Sequence, residues 1–157
     1  MKMRSRRDML RGALALGGLG AGTALLGLLP RAALAAWPKA AFDGKDTKEV
    51  LDALFQVQSA AASDAVKVRA PEIAENGTVV PVTVSTSLPK VESITLIAEG
   101  NPRPLAAVFR YSARSTGDVT TRIKLAKTQL VTAVVKSDGK LFKASREVKV
   151  TIGGCGG

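Results

Sequence analysis

One side chain in this 157-residue chain has the makings of covalent chemistry: Cys155, the only cysteine, set in Gly153-Gly154-Cys155-Gly156-Gly157. Glycine constrains the backbone least of all residues. A thiol held between two glycine pairs is therefore built to reach outward rather than to pack in a core. No histidine occurs anywhere. That excludes a Ser-His-Asp or Cys-His catalytic pair and any His-liganded metal site. With one cysteine per chain, a thiolate cluster for zinc or iron–sulfur and an intrachain disulfide are excluded as well. The reading is of a protein without metal or cofactor. No phosphate-binding glycine loop leads into a helix.

An unperturbed thiol has a pKa near 8.5, so only ~3% is thiolate at pH 7. No Lys or Arg stands within five residues of Cys155, and a terminal carboxylate lies two residues on. That anion disfavours the thiolate. A catalytic thiol needs an activating base and fixed geometry. A carrier thiol needs neither, because each partner site can supply the activation. Thiol oxidoreductase chemistry at Cys155 is the alternative, but it calls for a low-pKa thiol and usually a resolving cysteine. A third reading is an assembly domain with an incidental tail. Two carboxylate pairs, Asp43 with Asp46 and Glu72 with Glu75, are close enough in sequence for acid–base work, although both lie in segments that read as exposed. Asn76-Gly77-Thr78 matches a glycosylation acceptor and reads more simply as a turn.

The N-terminus reads as an export signal. Met1–Arg11 holds five Lys/Arg and one acid, residues 12–29 are uncharged and largely apolar, and Ala33-Leu34-Ala35 forms an Ala-x-Ala cleavage site. Arg6-Arg7 within Ser5–Arg11 resembles the twin-arginine pattern. An uncleaved membrane anchor is the competing reading. Six glycines in the apolar run and the cleavage site argue against it. The expected organisation is a signal peptide over 1–35, a domain over 36–152 and an arm over 153–157. The expected compartment is the periplasm, with no stable membrane association.

Removing residues 1–35 changes the charge. They hold six of the 23 Lys/Arg and one of the 13 acids, which leaves 17 basic and 12 acidic residues, a net of +5 rather than +10. No run of like charges exceeds two residues there, and only one Trp and one Tyr remain. Cations interleaved with stacking aromatics are thus missing, so no nucleic-acid partner is expected. A mild positive field still favours a small anion or an acidic protein. A leftover thiol in an oxidising compartment also allows a homodimer through a Cys155 disulfide.

The elements that must position the arm are mostly strands. Residues 36–45 read as a tail. Asp46-Thr47-Lys48-Glu49 reads as a helix start with Asp46 as N-cap, and Val50, Leu51, Leu54 and Phe55 form one apolar stripe; the helix is expected to end near Ser59. Seven period-2 runs follow. They are Val66–Ala70, the run through Val80, Val82 and Val84, Glu92–Glu99, Ala107–Tyr111, Val119–Leu125, Gln129–Ser137 and Glu147–Ile152. Pro81 suggests an edge strand. The continuous apolar run at 129–137 suggests a central one. Asn76-Gly77, Asn101-Pro102-Arg103-Pro104, Thr116-Gly117-Asp118 and Asp138-Gly139 punctuate the runs, and Asp138-Gly139 predicts a type I′ hairpin. The fold class is all-β: an immunoglobulin-like antiparallel β-sandwich of about seven strands, with one N-terminal helix and a flexible C-terminal arm.

The segment Val148-Lys149-Val150-Thr151-Ile152-Gly153-Gly154-Cys155-Gly156-Gly157 resembles the C-terminus of the SoxY family, the sulfur-carrying subunits of bacterial thiosulfate oxidation. Residues 74–82, Val91–Ile94, Asn101–Ala106 and Thr121–Lys124 are similar to family stretches as well. The resemblance implies a periplasmic heterodimer with SoxZ, exported folded by the twin-arginine route. It implies that the heme enzyme SoxXA couples thiosulfate to Cys155, that SoxB releases sulfate, and that a sulfane dehydrogenase, where present, oxidises the remaining sulfur. Gly153, Gly154, Gly156 and Gly157 would keep the arm slim enough for narrow clefts. The carrier itself would be a substrate and not an enzyme.

Overall fold

The computed structural model describes residues 38–112 and 115–152. Two β-sheets face each other, and all seven expected runs are strands. The larger sheet contains β5 (Val91–Ala98), β6 (Leu105–Arg110), β8 (Gln129–Ser137) and β9 (Lys140–Val150), in the order β9-β8-β5-β6. The smaller has β2 (Val66–Arg69), β4 (Val80–Thr86) and β7 (Val119–Ile123), with β4 in the middle. All these neighbours are antiparallel. Alternation explains the core between the sheets. Val80, Val82 and Val84 point in from one side; Ile94, Leu96, Val131, Ala133, Val135 and Val148 point in from the other. The core is rich in β-branched residues, which suit a pleated, buried surface.

Helices add a third layer. The large sheet's outer face is covered by α1 (Lys39–Asp43) and α2 (Thr47–Phe55). Ala41, Val50 and Leu51 pack there on Ile97, Leu105 and Val134. This second contact buries both faces of β5 and β8, which is why Gln129–Ser137 reads as a nearly continuous apolar run and sits centrally. Asp46 caps α2 as expected, its carboxylate accepting the Glu49 N–H at 2.8 Å. Glu49 in turn accepts the Lys45 N–H at 2.7 Å.

Several expectations are corrected. The presumed tail at 36–45 contains α1, a single turn anchored by fully buried Ala41. So there are two short helices rather than one. Gly44 permits their close approach, since a Cβ there would meet the Ala41 carbonyl and Val50 Cγ2, each at 3.2 Å. The second helix ends at Phe55, short of Ser59, because Gln56 turns left-handed (φ 58°) and donates its N–H to the Asp52 carbonyl at 2.8 Å. The strand bearing Pro81 is the middle strand of its sheet, not an edge. Its pairing with β2 covers only Thr83–Thr86, so Pro81 has a neighbour on the β7 side alone and the missing N–H breaks no bond to β2. On β6, Ala106 joins Phe109 and Tyr111 against the core, where the register with β5 shifts between Leu96 and Ile97.

Two short strands were not legible at all. β1 (Ala61–Ala62) and β3 (Ile73–Ala74) run parallel to β9 and pair with Phe142–Lys143 and Lys149–Val150. Between them the chain crosses to the small sheet as β2. They cover part of an edge that would otherwise lie open. The β8–β9 hairpin turns at Asp138 (φ 48°) and Gly139 (φ 73°), both positive as a type I′ turn requires. Among the described residues no helix is long and apolar enough to cross a membrane.

Candidate functional site

Cys155, its glycines Gly153, Gly154, Gly156 and Gly157, and Arg6 and Arg7 lie outside the described residues. The structure describes the root from which the chain runs on to Cys155. Regular pairing of β9 stops at Val150, two residues before the expected limit at Ile152, yet the backbone stays tied through Ile152. The Val150 N–H donates to Thr128 Oγ1 at 2.9 Å. The Thr151 N–H donates to the Ala74 carbonyl at 3.1 Å, and Thr151 Oγ1 donates to the Glu75 carbonyl at 3.0 Å. The Ile152 carbonyl accepts the Gly77 N–H at 2.9 Å.

Gly77 links two segments, because its own carbonyl accepts the Leu125 N–H at 2.7 Å. The turn holding it is closed by Asn76, whose Oδ1 accepts from the Thr78 N–H at 2.8 Å and from Thr78 Oγ1 at 2.7 Å. Asn76-Gly77-Thr78 is therefore an Asx turn at this root. Behind it sits Asn101, from the Asn-Pro-Arg-Pro stretch. Asn101 Oδ1 accepts the Ala126 N–H and a Gln129 Nε2 proton, both at 2.9 Å, and Nδ2 donates to the Lys124 carbonyl at 2.7 Å. Gln129 completes the lattice by accepting the Gly100 N–H at 2.7 Å. Three loops and the end of β9 are thus joined by directional bonds. Sequence reasoning did not find Thr128, Thr151, Gly77 or Asn101 as parts of one root. Only the Asn-Gly and Asn-Pro turn signals hinted at two of them.

The candidate carboxylate pairs do not build an acid–base site. The Asp43 carboxyl is held below its ordinary range, mainly by the Lys39 hydrogen bond, with Arg103 3.8 Å away adding to it. A general acid needs the opposite shift. Asp46 is occupied as the α2 cap. Glu72 pairs with Lys149 at 3.4 Å, and Glu75 contributes its backbone carbonyl to the root. Among the described residues no group of three or more His, Cys, Asp or Glu is placed to hold a metal. A cleft of about 570 Å³ lies at the opposite end of β4, lined by Thr86, Leu88, Val91, Tyr111, Ser115 and Asp118. Tyr111 donates to the Asp118 carbonyl at 3.0 Å, and burial pushes its hydroxyl pKa up. Among the described residues lining it, no hydroxyl is hydrogen-bonded to a side-chain base.

The fold and root define a class: a two-sheet β domain whose last strand is clamped by side loops up to the residue where a cysteine-bearing segment begins. The family described as "Sulfur oxidation protein SoxY" matches residues 51–155, a span that includes Cys155. The sulfur carrier protein SoxY from Chlorobium limicola f thiosulfatophilum is similar in structure, with 42% identity and a TM-score of 0.60 over 66% of this chain and 94% of that one. Superoxide reductase (neelaredoxin) from Ignicoccus hospitalis matches at 26% identity and a TM-score of 0.49 over 54% of this chain and 79% of its own, too loosely to carry a functional argument. No curated protein sequence matches. The chain belongs to the SoxY family.

Proposed function

We propose that this protein carries sulfur intermediates of thiosulfate oxidation covalently on the Cys155 thiol. The observation that carries the reading is the family match through residue 155, in a chain where Cys155 is the sole thiol. The bonded root supports it, since a carrier needs a fixed body from which to present its cargo. Loading joins the thiol to thiosulfate: Cys–SH and S₂O₃²⁻ give Cys–S–S–SO₃⁻, one proton and two electrons, and the heme enzyme SoxXA accepts the electrons. Hydrolysis by SoxB adds water across the terminal S–S bond, giving Cys–S–S⁻, sulfate and two protons. A sulfane dehydrogenase, where present, oxidises the remaining sulfur. The carrier turns over nothing itself and works as a heterodimer with SoxZ in the periplasm, after twin-arginine export directed by Arg6 and Arg7. Gly153, Gly154, Gly156 and Gly157 keep the arm narrow.

Intact mass spectrometry of the protein from periplasm of thiosulfate-grown cells, before and after mild reduction, tests this. Reducible sulfur or thiosulfonate adducts are expected on Cys155. Cys155→Ser should fold with unchanged stability and carry none. Adducts persisting in that variant, or a bare thiol in cells actively consuming thiosulfate, would overturn the proposal.

A further inference from the structure

We propose that a recess beside the C-terminal end of α2 binds a small tetrahedral oxyanion, of the sulfate or thiosulfate type, between Arg110, Ser93 and Lys136. These three residues form one row across three strands. Ser93 on β5 pairs with Arg110 on β6 and with Lys136 on β8, and directly paired residues share a face. That face is the outer one of the large sheet, because Val108 and Val134, two residues from Arg110 and Lys136, pack there with the helices. Neighbouring strands lie about 4.8 Å apart, so the two cations start about 10 Å apart and their long side chains can converge above the serine. The recess holds about 170 Å³, and Leu54, Phe55, Val108 and Glu92 complete its walls. At roughly 30 Å³ per water, that is room for a tetrahedral oxyanion and little more.

The serine is what separates this row from an ordinary charged surface. Ser93 is 7% exposed, and its Oγ is buried without a hydrogen-bond partner. A buried hydroxyl left unpaired is costly, and here it lines a recess flanked by two cations. One staggered turn about χ1 lets it offer its O–H to an anion there. Thr95 carries the other such hydroxyl among the described residues, but Val108 and Val134 flank it and it does not line the recess. Arg110 is exposed and forms no ion pair among the described residues. Lys136 bonds Glu92 Oε2 at 2.7 Å, which uses one of its three protons. Glu92 is the one carboxylate of the recess, and its Oε1 accepts the Gly139 N–H at 2.8 Å, so both its oxygens are engaged. Lys136 and Glu92 cancel in charge, and Arg110 leaves a net positive site. Three donor groups from three strands suit a tetrahedral ion, whose oxygens diverge, better than a carboxylate with two coplanar oxygens.

The test titrates the protein, in complex with its natural partner subunit, with sodium sulfate, sodium thiosulfate and sodium acetate, each at constant ionic strength set by sodium chloride. Amide chemical shifts are followed by NMR. Saturable shifts at Ser93, Arg110 and Lys136 are expected with sulfate and thiosulfate, and the relative Kd tells which of the two the site prefers. Arg110→Ala should raise Kd about tenfold or more, and Ser93→Ala about threefold or more. Glu92→Gln should lower it, since a like charge is removed. Ser93→Ala should keep or raise the urea midpoint, because the hydroxyl it deletes has no partner in the fold. Thr95→Val should leave Kd unchanged. Shifts that stay linear in concentration, that chloride reproduces, or that survive Arg110→Ala would overturn the site, as would tighter binding of acetate than of sulfate. The site does not depend on the carrier reading: Cys155→Ser should bind sulfate as wild type does, whether or not Cys155 carries sulfur.

Discussion

Replacing Asn101 by alanine removes the centre of the root lattice, and its cost can be worked from the bonds. Two of them, from the Ala126 N–H and Gln129 Nε2, are partly buried at 2.9 Å. The third, to the Lys124 carbonyl at 2.7 Å, is exposed and readily replaced by water. At about 1 kcal/mol net for each partly buried bond and less for the exposed one, Asn101→Ala should cost about 2 kcal/mol. For a domain near this size that lowers Tm by roughly 6–10 °C. Asn101→Asp keeps both acceptor bonds but turns a carboxylate oxygen toward the exposed Lys124 carbonyl, a repulsion that water can relieve, so it should cost less than alanine. Urea unfolding followed by circular dichroism measures both. Amide exchange should show where the loss acts, with the Leu125 and Gly77 N–H groups exchanging faster because their bonds join the loops that Asn101 holds. A loss below about 0.5 kcal/mol for alanine, or equal losses for both variants, would refute the view that Asn101 organises the root.

Leu51 is 2% exposed beneath the helical layer, and Leu51→Ala should destabilise by about 2–4 kcal/mol, with proteolysis opening first near residues 39–55; a loss under about 1 kcal/mol would show that the helices contribute little to the sheet. Glu92 is held below its ordinary 4.5 first by the Lys136 hydrogen bond and then by the Gly139 N–H, so its contribution is present above its unfolded pKa and lost as pH falls through the lower folded value. Glu92→Gln should therefore show a shallower fall in urea midpoint than wild type as pH drops from about 6 to about 3, and identical slopes would refute the assignment.

Much of this molecule is written in local pattern. Period-2 alternation in Val80, Val82 and Val84 and in Val148 and Val150 marks strands because a pleated chain sends successive side chains to opposite faces. Asp138-Gly139 marks its hairpin because both residues tolerate positive φ. Asp46 and Glu49 mark a helix start because their side chains satisfy backbone donors within three or four residues. Cys155 stands out because no other thiol and no histidine exist to share its chemistry. All of these are short-range facts, and a sequence reports short-range facts directly.

The rest depended on segments distant in sequence. β1 and β3 are two residues each, far too short for any pattern, and exist only because β9 offers an edge. Pro81 belongs in a middle strand because β2 stops short of it, which nothing near Pro81 reveals. The double burial of Ile97 and Val134 requires helices some forty and eighty residues earlier in the chain. The root needs Ala74, Gly77, Thr128 and Thr151 to meet, and their hydrogen bonds span tens of residues. The sequence alone determined the seven longer strands, the hairpin and the thiol. Tertiary structure alone decided where the last strand is anchored, because long-range pairing leaves no local trace in the chain.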